Sequence, residues 1–264
     1  MIMQRLLWIS GIAGMIAVVW IAVTQSQLML LLISYLYFRF IKLVGFHIGL
    51  HRYFCHGSFK TEKAQHLLMV VTSVLLGQGS PISWTTMHRH HHKNADQPLD
   101  VHSPHHGRWQ SLFSTFTVRS NNWWVNVKKV NKLPRELFRD PVLVFVHDHY
   151  FKIWATIIIS AWALFGTTFL LFFVLAPIGF GWLHAPFINF FAHLNLPGSY
   201  RNYNTLDKSY NNNYIRWINP EEAYHNNHHA VPGNYNFAHK DNEFDPVAPI
   251  IKYFFEKKQH EQVS

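Results

Sequence analysis

Leu6 to Val23 is a run of 18 residues without a single charged side chain. At about 1.5 Å per residue it nearly crosses a hydrocarbon core of about 30 Å. A signal peptide is the rival reading, because Arg5 precedes the run. Against it, the run is long for a signal core, and Thr24-Gln25-Ser26-Gln27 is a poor cleavage site. A second apolar run follows almost at once, from Leu28 to Leu50, with Arg39, Lys42 and His47 in its second half. That helix is expected to start in lipid and end in a polar, protein-lined zone, where ionisable groups are tolerated. Ile153 to Leu175 is a third run and Ile178 to about Leu194 a fourth, with Ala176-Pro177 predicting a tight turn between them.

The expected architecture is an all-α integral membrane protein. Four transmembrane helices in two hairpins, at about 6–24, 28–50, 153–175 and 178–194, lie under a cytoplasmic helical cap of residues 51–152 and 195–264. Residues 1–264 form one domain in this reading. Charge sets the orientation. The connectors Gln25–Gln27 and Ala176–Gly179 hold no Lys or Arg, whereas residues 51–152 hold 13 of the 23 and residues 195–264 hold 7. Loops rich in Lys and Arg stay cytoplasmic. Residues 64–79 are moderately apolar and predict a helix at or just above the membrane.

Composition narrows the class further. Only 14% of residues are charged, against about 25% in soluble domains, so an ordinary soluble enzyme is disfavoured. The single cysteine, Cys55, excludes an internal disulfide framework and any cysteine-held cluster. The net charge of +9 suits anionic lipid heads or a phosphorylated substrate. It does not point to nucleic acid, because the basic residues are diluted among apolar spans.

Histidine is the unusual count, at 20 residues. Four constellations stand out: His51 with His56; His88, His91 and His92; Asn189 with His193; and His225, His228 and His229. Residues at i, i+3 and i+4 share a helical face. The second and fourth clusters are therefore expected each to point three imidazoles one way, and Asn189 and His193 to share a face. His51 and His56 are five apart, so a helix end or bend is expected between them. Nine imidazoles exceed what one ion needs, which implies two metals. Imidazole suits iron, copper, nickel and zinc alike. His47, His66, His90, His102, His105, His106, His147, His149, His184, His239 and His260 are expected not to be ligands.

These stretches, in this order, carry a pattern. His51-Arg-Tyr-Phe-Cys-His56 with Phe59-Lys60 comes first, then Trp84 with His88-Arg89-His90-His91-His92, then Asp100-Val-His-Ser-Pro104. Asn189…His193, Arg201-Asn-Tyr-Asn-Thr-Leu-Asp207 and His225-Asn-Asn-His228-His229 follow. Together they resemble the membrane fatty acid desaturases, in particular the bacterial acyl-CoA branch of the Δ9, stearoyl-CoA type. The resemblance implies a di-iron centre with dioxygen as co-substrate. The ligands would be His51, His56, His88, His91, His92, His193, His225, His228 and His229, with Asn189 holding a water near one iron. It also implies an acyl-CoA or acyl-lipid substrate, and a ferredoxin or cytochrome b5-like electron donor with its reductase. The expected place is a bacterial inner membrane with the active site on the cytoplasmic face. A hydroxylase or related oxygenase on the same scaffold is the alternative activity. Gly57 stands where the family usually has Arg, and Glu221-Glu222-Ala223-Tyr224 where it usually has Gly-Glu-Gly-Trp.

Trp84 and Arg89 are the candidate substrate contacts. A guanidinium stays protonated and is no iron ligand. On its helix Arg89 points about 100° away from His88. It is expected either to grip the acyl carrier or to pair with a carboxylate of the cap.

Overall fold

The computed structural model describes residues 2–100, 102–106, 108–112 and 134–257. The expected cap also takes in residues 101, 107, 113–133 and 258–264, which lie outside the described residues. The first helix, α1, spans Ile2–Thr24. The next, α2, spans Leu28–Ile41 and continues without interruption as a π-wound segment, Lys42–Cys55. Helix α3 (Lys63–Leu75) packs along that segment and answers to the helix expected at 64–79. Helix α4 (Pro81–Asn94) starts where a helix should: Ser80 accepts from the Ser83 backbone N–H, and Pro81 occupies the first turn, where its missing N–H costs nothing. A short α5 (Arg108–Leu112) follows.

The third long apolar stretch differs from expectation at both ends and in the middle. Helix α6 begins at Pro141, twelve residues early, because Asp140 accepts from the Val142 and Leu143 N–H groups and Pro141 fits the first turn. It runs to Phe169, followed by a π-wound turn, Leu170–Leu175, and then α7, Ala176–Asn189. Ala176-Pro177 is thus helical, not a turn. The proline falls in the first turn of α7, where it is tolerated, and the wider π winding before it bonds Ala176 N–H to Leu171. The dihedral break lies at Gly166 (φ 81°, ψ 178°), a conformation that glycine adopts readily.

Three stretches are long and apolar enough to cross a membrane: Ile2–Thr24, Leu28–Cys55 and Pro141–His193. The last has 53 residues, or roughly 80 Å if wholly helical at about 1.5 Å per residue. That is far more than one crossing. Trp20, Ile16, Leu36, Ile159 and Leu164 are all exposed, as lipid-facing side chains are. Six of the nine clustered histidines are buried instead, and the other three are partly so.

Beyond α7 the chain is mostly irregular. A two-residue antiparallel pair, β1 (Ser199–Tyr200) and β2 (Asn211–Asn212), departs from the all-helical expectation. Short helices α8 (Ile215–Ile218), α9 (His225–Ala230) and α10 (Val247–Ile250) complete the described chain.

Helices α1 and α7 pack antiparallel on small residues. A Cβ on Gly179 would lie 2.5 Å from the Gly11 carbonyl oxygen, and one on Gly14 would lie 2.5 Å from the Leu175 Cβ. Close backbone approach of this kind is how apolar helices associate where lipid gives no hydrophobic drive. Gly179→Val is expected to destabilise the fold by at least about 1–3 kcal/mol, the usual cost of overpacking. Thermal unfolding of the detergent-purified variant checks this, and wild-type stability would contradict the packing.

Candidate metal centre

The nine histidines named from the sequence come together in two groups. His51, His56, His88, His92 and His228 form one; His91, His193, His225 and His229 form the other. Within each group one candidate ligand atom per residue lies within 4.8 Å of all the rest. Neither group contains His47, His66, His90, His102, His105, His147, His149, His184 or His239. The His106 side chain and His260 lie outside the described residues. The two groups adjoin, with the His92 and His229 rings stacked at 4.4 Å between centroids.

Local winding explains the division. His51 and His56 sit five apart on the π-wound segment, where i→i+5 bonding puts them on one side; the His56 N–H donates to the His51 carbonyl. The helix ends between them, at Cys55, as their spacing had suggested, and its π winding keeps His56 on the side of His51. On α4, His88 and His92 form an i, i+4 pair whose Nε2 atoms are 3.1 Å apart. His91 serves the other group, so the three do not point one way. The same split occurs on α9: His225 and His229 pair at 3.1 Å, while His228 turns to His51 and His92 at 2.9 Å each. Helix α7 stops at Asn189, and His193 lies in a separate 3-10 turn, Phe191–His193. Asn189 and His193 therefore do not share a helical face. The Asn189 carbonyl accepts from Ser111 Oγ, and the residue lines the cavity described below.

Carboxylates hold the outer nitrogens. His51 Nδ1 donates to Glu222 Oε1 at 2.8 Å, as does His47. His91 Nδ1 faces both oxygens of Asp100 at 3.0 Å, and His193 Nδ1 donates to Asp96 at 2.9 Å. His229 Nδ1 lies 3.4 Å from Asp207. A neutral imidazole carries one proton. With that proton on Nδ1, each Nε2 presents a lone pair, and these lone pairs face one another at about 3 Å, as in His193–His225 at 3.0 Å. His56 Nε2 is buried with no hydrogen-bond partner. Facing lone pairs repel unless a cation lies among them, so the donor set fits metal. Carboxylate-backed imidazoles are the usual arrangement around bound metal.

The electrostatics favour neutral donors. Burial pushes His88, His92, His225 and His228 well below the ordinary histidine value, His56 down to about 2 and His229 to about 4. Burial also opposes the charged form of His91, but Asp100 outweighs it and holds that group above the usual value. Burial would raise Asp96 and Asp100, but His193 and His91 respectively hold both well below the carboxylate range. Asp96 had no role in the sequence reading, and Asp100, Asp207 and Glu222 appeared there only as parts of motifs. Their lone signal was proximity to a histidine box, which Glu222 and Asp100 have and Asp207 lacks.

Helix α9 is built of poor helix formers and is held from outside. Asn226 Oδ1 accepts from the Asn202 and Tyr203 N–H groups. Asn227 bonds Asn211, the Phe237 carbonyl and Glu243. Trp84 stacks on His88 at 4.6 Å. Arg89 is tied to the Cys55 carbonyl through Nε and Nη2, and to Glu136 through Nη1. These are the contacts of a structural ion pair. A cavity of about 260 Å³ reaches His51, His88, Trp84 and Asn189, and extends to Trp8, Lys42 and His184.

The profile of the fatty acid desaturase family matches residues 6–260. The chain belongs to that family. Among similar desaturases, the sn-1 stearoyl-lipid 9-desaturase of Anabaena variabilis is 28% identical over 71% of this chain and 66% of its own. The Delta-9 desaturase-like 3 protein of Arabidopsis thaliana is 32% identical, over 73% of this chain and 65% of its own. The Acyl-CoA C20 Delta5-desaturase of Anemone leveillei is 29% identical, over 70% and 58%. The chain thus spans about two thirds or less of the length of these curated relatives.

Asp100→Asn removes the negative charge that orients His91. Loss of such an outer partner typically costs about 10–100-fold in metal affinity. Chelator competition with ferrous iron on the purified variant should show a loss of that size in one of two sites. Unchanged affinity at both sites would contradict the role given to Asp100.

Proposed function

We propose that this desaturase-family chain inserts a cis double bond into a fatty acyl chain, at a Δ9-like position of an acyl-CoA, with dioxygen as co-substrate. The observation that carries the reading is the pair of adjacent, all-imidazole groups, with His51 and His88 of the first lining a cavity. We assign His51, His56, His88, His92 and His228 to one iron and His91, His193, His225 and His229 to the other. Bound iron would supply, from dioxygen and external electrons, the oxidant needed to take hydrogen from an unactivated methylene. In the balance, two C–H bonds break and one C=C forms. Dioxygen ends as two waters, with two electrons and two protons from a donor.

The chain's own residues supply position and dryness. The carboxylates of Glu222, Asp100, Asp96 and Asp207 fix ring orientation and keep the protons on the outer nitrogens. Trp84, stacked on His88, walls the cavity beside the centre and is assigned to substrate. Asn189, at the same cavity, is assigned to hold a water near one iron. No side-chain acid or base deprotonates such a C–H bond, so the geometry of the bound chain decides which carbon reacts. For Arg89 we favour the ion pair with Glu136 over a grip on the acyl carrier, because all three of its described bonds go to protein.

The break at Gly166 supports a division of the long third stretch. We propose one domain with four crossings: α1, α2 with its π-wound extension, α6 up to the break, and the stretch from Leu170 through α7. Both polar segments then lie on the cytoplasmic side of a bacterial inner membrane. A ferredoxin or cytochrome b5-like protein with its reductase would deliver electrons there. The acyl-CoA choice is supported by the positive net charge and by the relative from Anemone named for acyl-CoA; the Anabaena relative is named for stearoyl-lipid.

Pulse-labelled saturated fatty acid, followed by gas chromatography–mass spectrometry in a host expressing the gene, tests this. The label should appear as a cis monoene, first in the acyl-CoA pool and later in lipid. A hydroxylated chain would overturn the desaturation, and a monoene arising first in phospholipid would overturn the acyl-CoA assignment.

A further inference from the structure

A stretch of the polar cap lies at the depth of the spans. Helix α2 starts at Leu28, and Arg39 and Lys42 stand eleven and fourteen residues further along the same axis. At about 1.5 Å per residue they lie roughly 16 and 21 Å into a hydrocarbon core of about 30 Å. Cations at such depth need partners from protein, and the chain beyond β2 supplies them. Arg39 Nη2 donates to Glu221 Oε1, and Lys42 Nζ donates to Asn219 Oδ1 at 2.6 Å. Both heads can snorkel upward. Even so, the two bonds hold Asn219 and Glu221 at the boundary between hydrocarbon and head groups, not out in water.

The residues just before them face outward. Helix α8 buries Ile215 and leaves Tyr214, Trp217 and Ile218 exposed by 63%, 78% and 51%. Exposed apolar side chains continue from this level onto the spans. Leu36 and Phe40 of α2 are exposed, as is Leu183 of α7, next to the His184 that Lys42 also bonds. Trp and Tyr concentrate where hydrocarbon meets head groups, because each has an apolar body and a polar tip. Arg216 adds a cation to the pair, its guanidinium carbon 5.2 Å from the centre of the Trp217 ring. The short helix is held in place by its neighbours. Asn212 Oδ1 accepts from the Tyr214 and Ile215 N–H groups, and the Asn219 N–H donates to the Ile215 carbonyl.

We propose that residues 214–218 are an interfacial anchor, with phospholipid as the partner of Tyr214, Trp217 and Ile218, in the leaflet nearer the histidine groups. The proposal goes beyond the desaturase reading and rests only on α2 being a membrane span. The stretch from Tyr214 to Glu221 then has two edges. Asn219 and Glu221 on its polar edge satisfy the charged second half of α2. The aromatic edge occupies the lipid surface that α2 gives up there. A segment without any long apolar run is thereby part of the membrane-embedded surface.

Hydroxyl-radical footprinting of the whole wild-type chain tests this, in phosphatidylcholine–phosphatidylglycerol nanodiscs holding one chain each. Oxidation is read residue by residue by mass spectrometry. The radicals form in water, so a ring seated in lipid is spared. Trp217 is 78% exposed and Tyr203, on the cap, 37%. Exposure to water alone would therefore make Trp217 the more oxidised of the two. The anchor predicts the reverse order, with Trp217 spared as Phe40 of α2 is, and one chain per disc means that no second copy supplies the protection. Oxidation of Trp217 at or above the level of Tyr203, with Phe40 spared, overturns the anchor and leaves the span standing. Oxidation of Phe40 as well overturns the span and the anchor together.

Discussion

Everything in this structure is arranged around imidazole nitrogens forced to face one another. Of nine rings, six in buried and three in partly buried residues, seven present Nε2 atoms at about 3 Å separations, and carboxylates back four. Where a carboxylate holds the outer proton, the inward lone pairs repel one another, and a cation among them relieves that repulsion. The protonated outer nitrogens cannot rotate inward without breaking bonds to Glu222, Asp100 and Asp96. The carboxylates therefore act on the metal centre by fixing which face of each ring looks inward.

Packing supplies the rigidity that this requires. The π-wound segment brings His51 and His56 to one side, and α4 and α9 each send ligands to both groups. A shift of either helix would disturb both metal positions at once. Helix α9 cannot hold itself, being six residues of His, Asn and Ala, and the buried asparagine network does it instead. Arg52, fully buried, ties the same layer together: it donates to Asp245, to the Glu221 carbonyl and to the Tyr235 carbonyl. The family membership of the chain and the geometry of its histidines point the same way.

Much of this was legible in the sequence, for a physical reason. Metal ligands on helices must recur at i+3 and i+4, and such spacing of histidines is rare by chance; six of the nine ligand candidates stood out on that ground, and His51, His56 and His193 joined them through the motif pattern. Membrane spans are legible because lipid forbids charge over a fixed length. The winding was not legible. An i+5 pair looks splayed to anyone assuming 3.6 residues per turn; the helix end expected between His51 and His56 is there, at Cys55, but the π winding that keeps both rings on one side was not foreseen. Pro177 looked like a turn and Gly166 like any apolar residue, yet the proline sits harmlessly in a first turn and the glycine takes the positive φ. The pairings of Asp207 and Asp96 were not legible because they reach their histidines across 22 and 97 residues, and only folding makes them neighbours.

The central claim is that the chain holds two metal ions, one in a five-histidine group and one in a four-histidine group. Iron stoichiometry in purified wild type and in two single variants tests it most directly. The account predicts about two irons per chain in the wild type, and about one in both His56→Ala and His193→Ala, with each variant emptying a different site. A wild-type stoichiometry of one, or two irons retained in either variant, would contradict it.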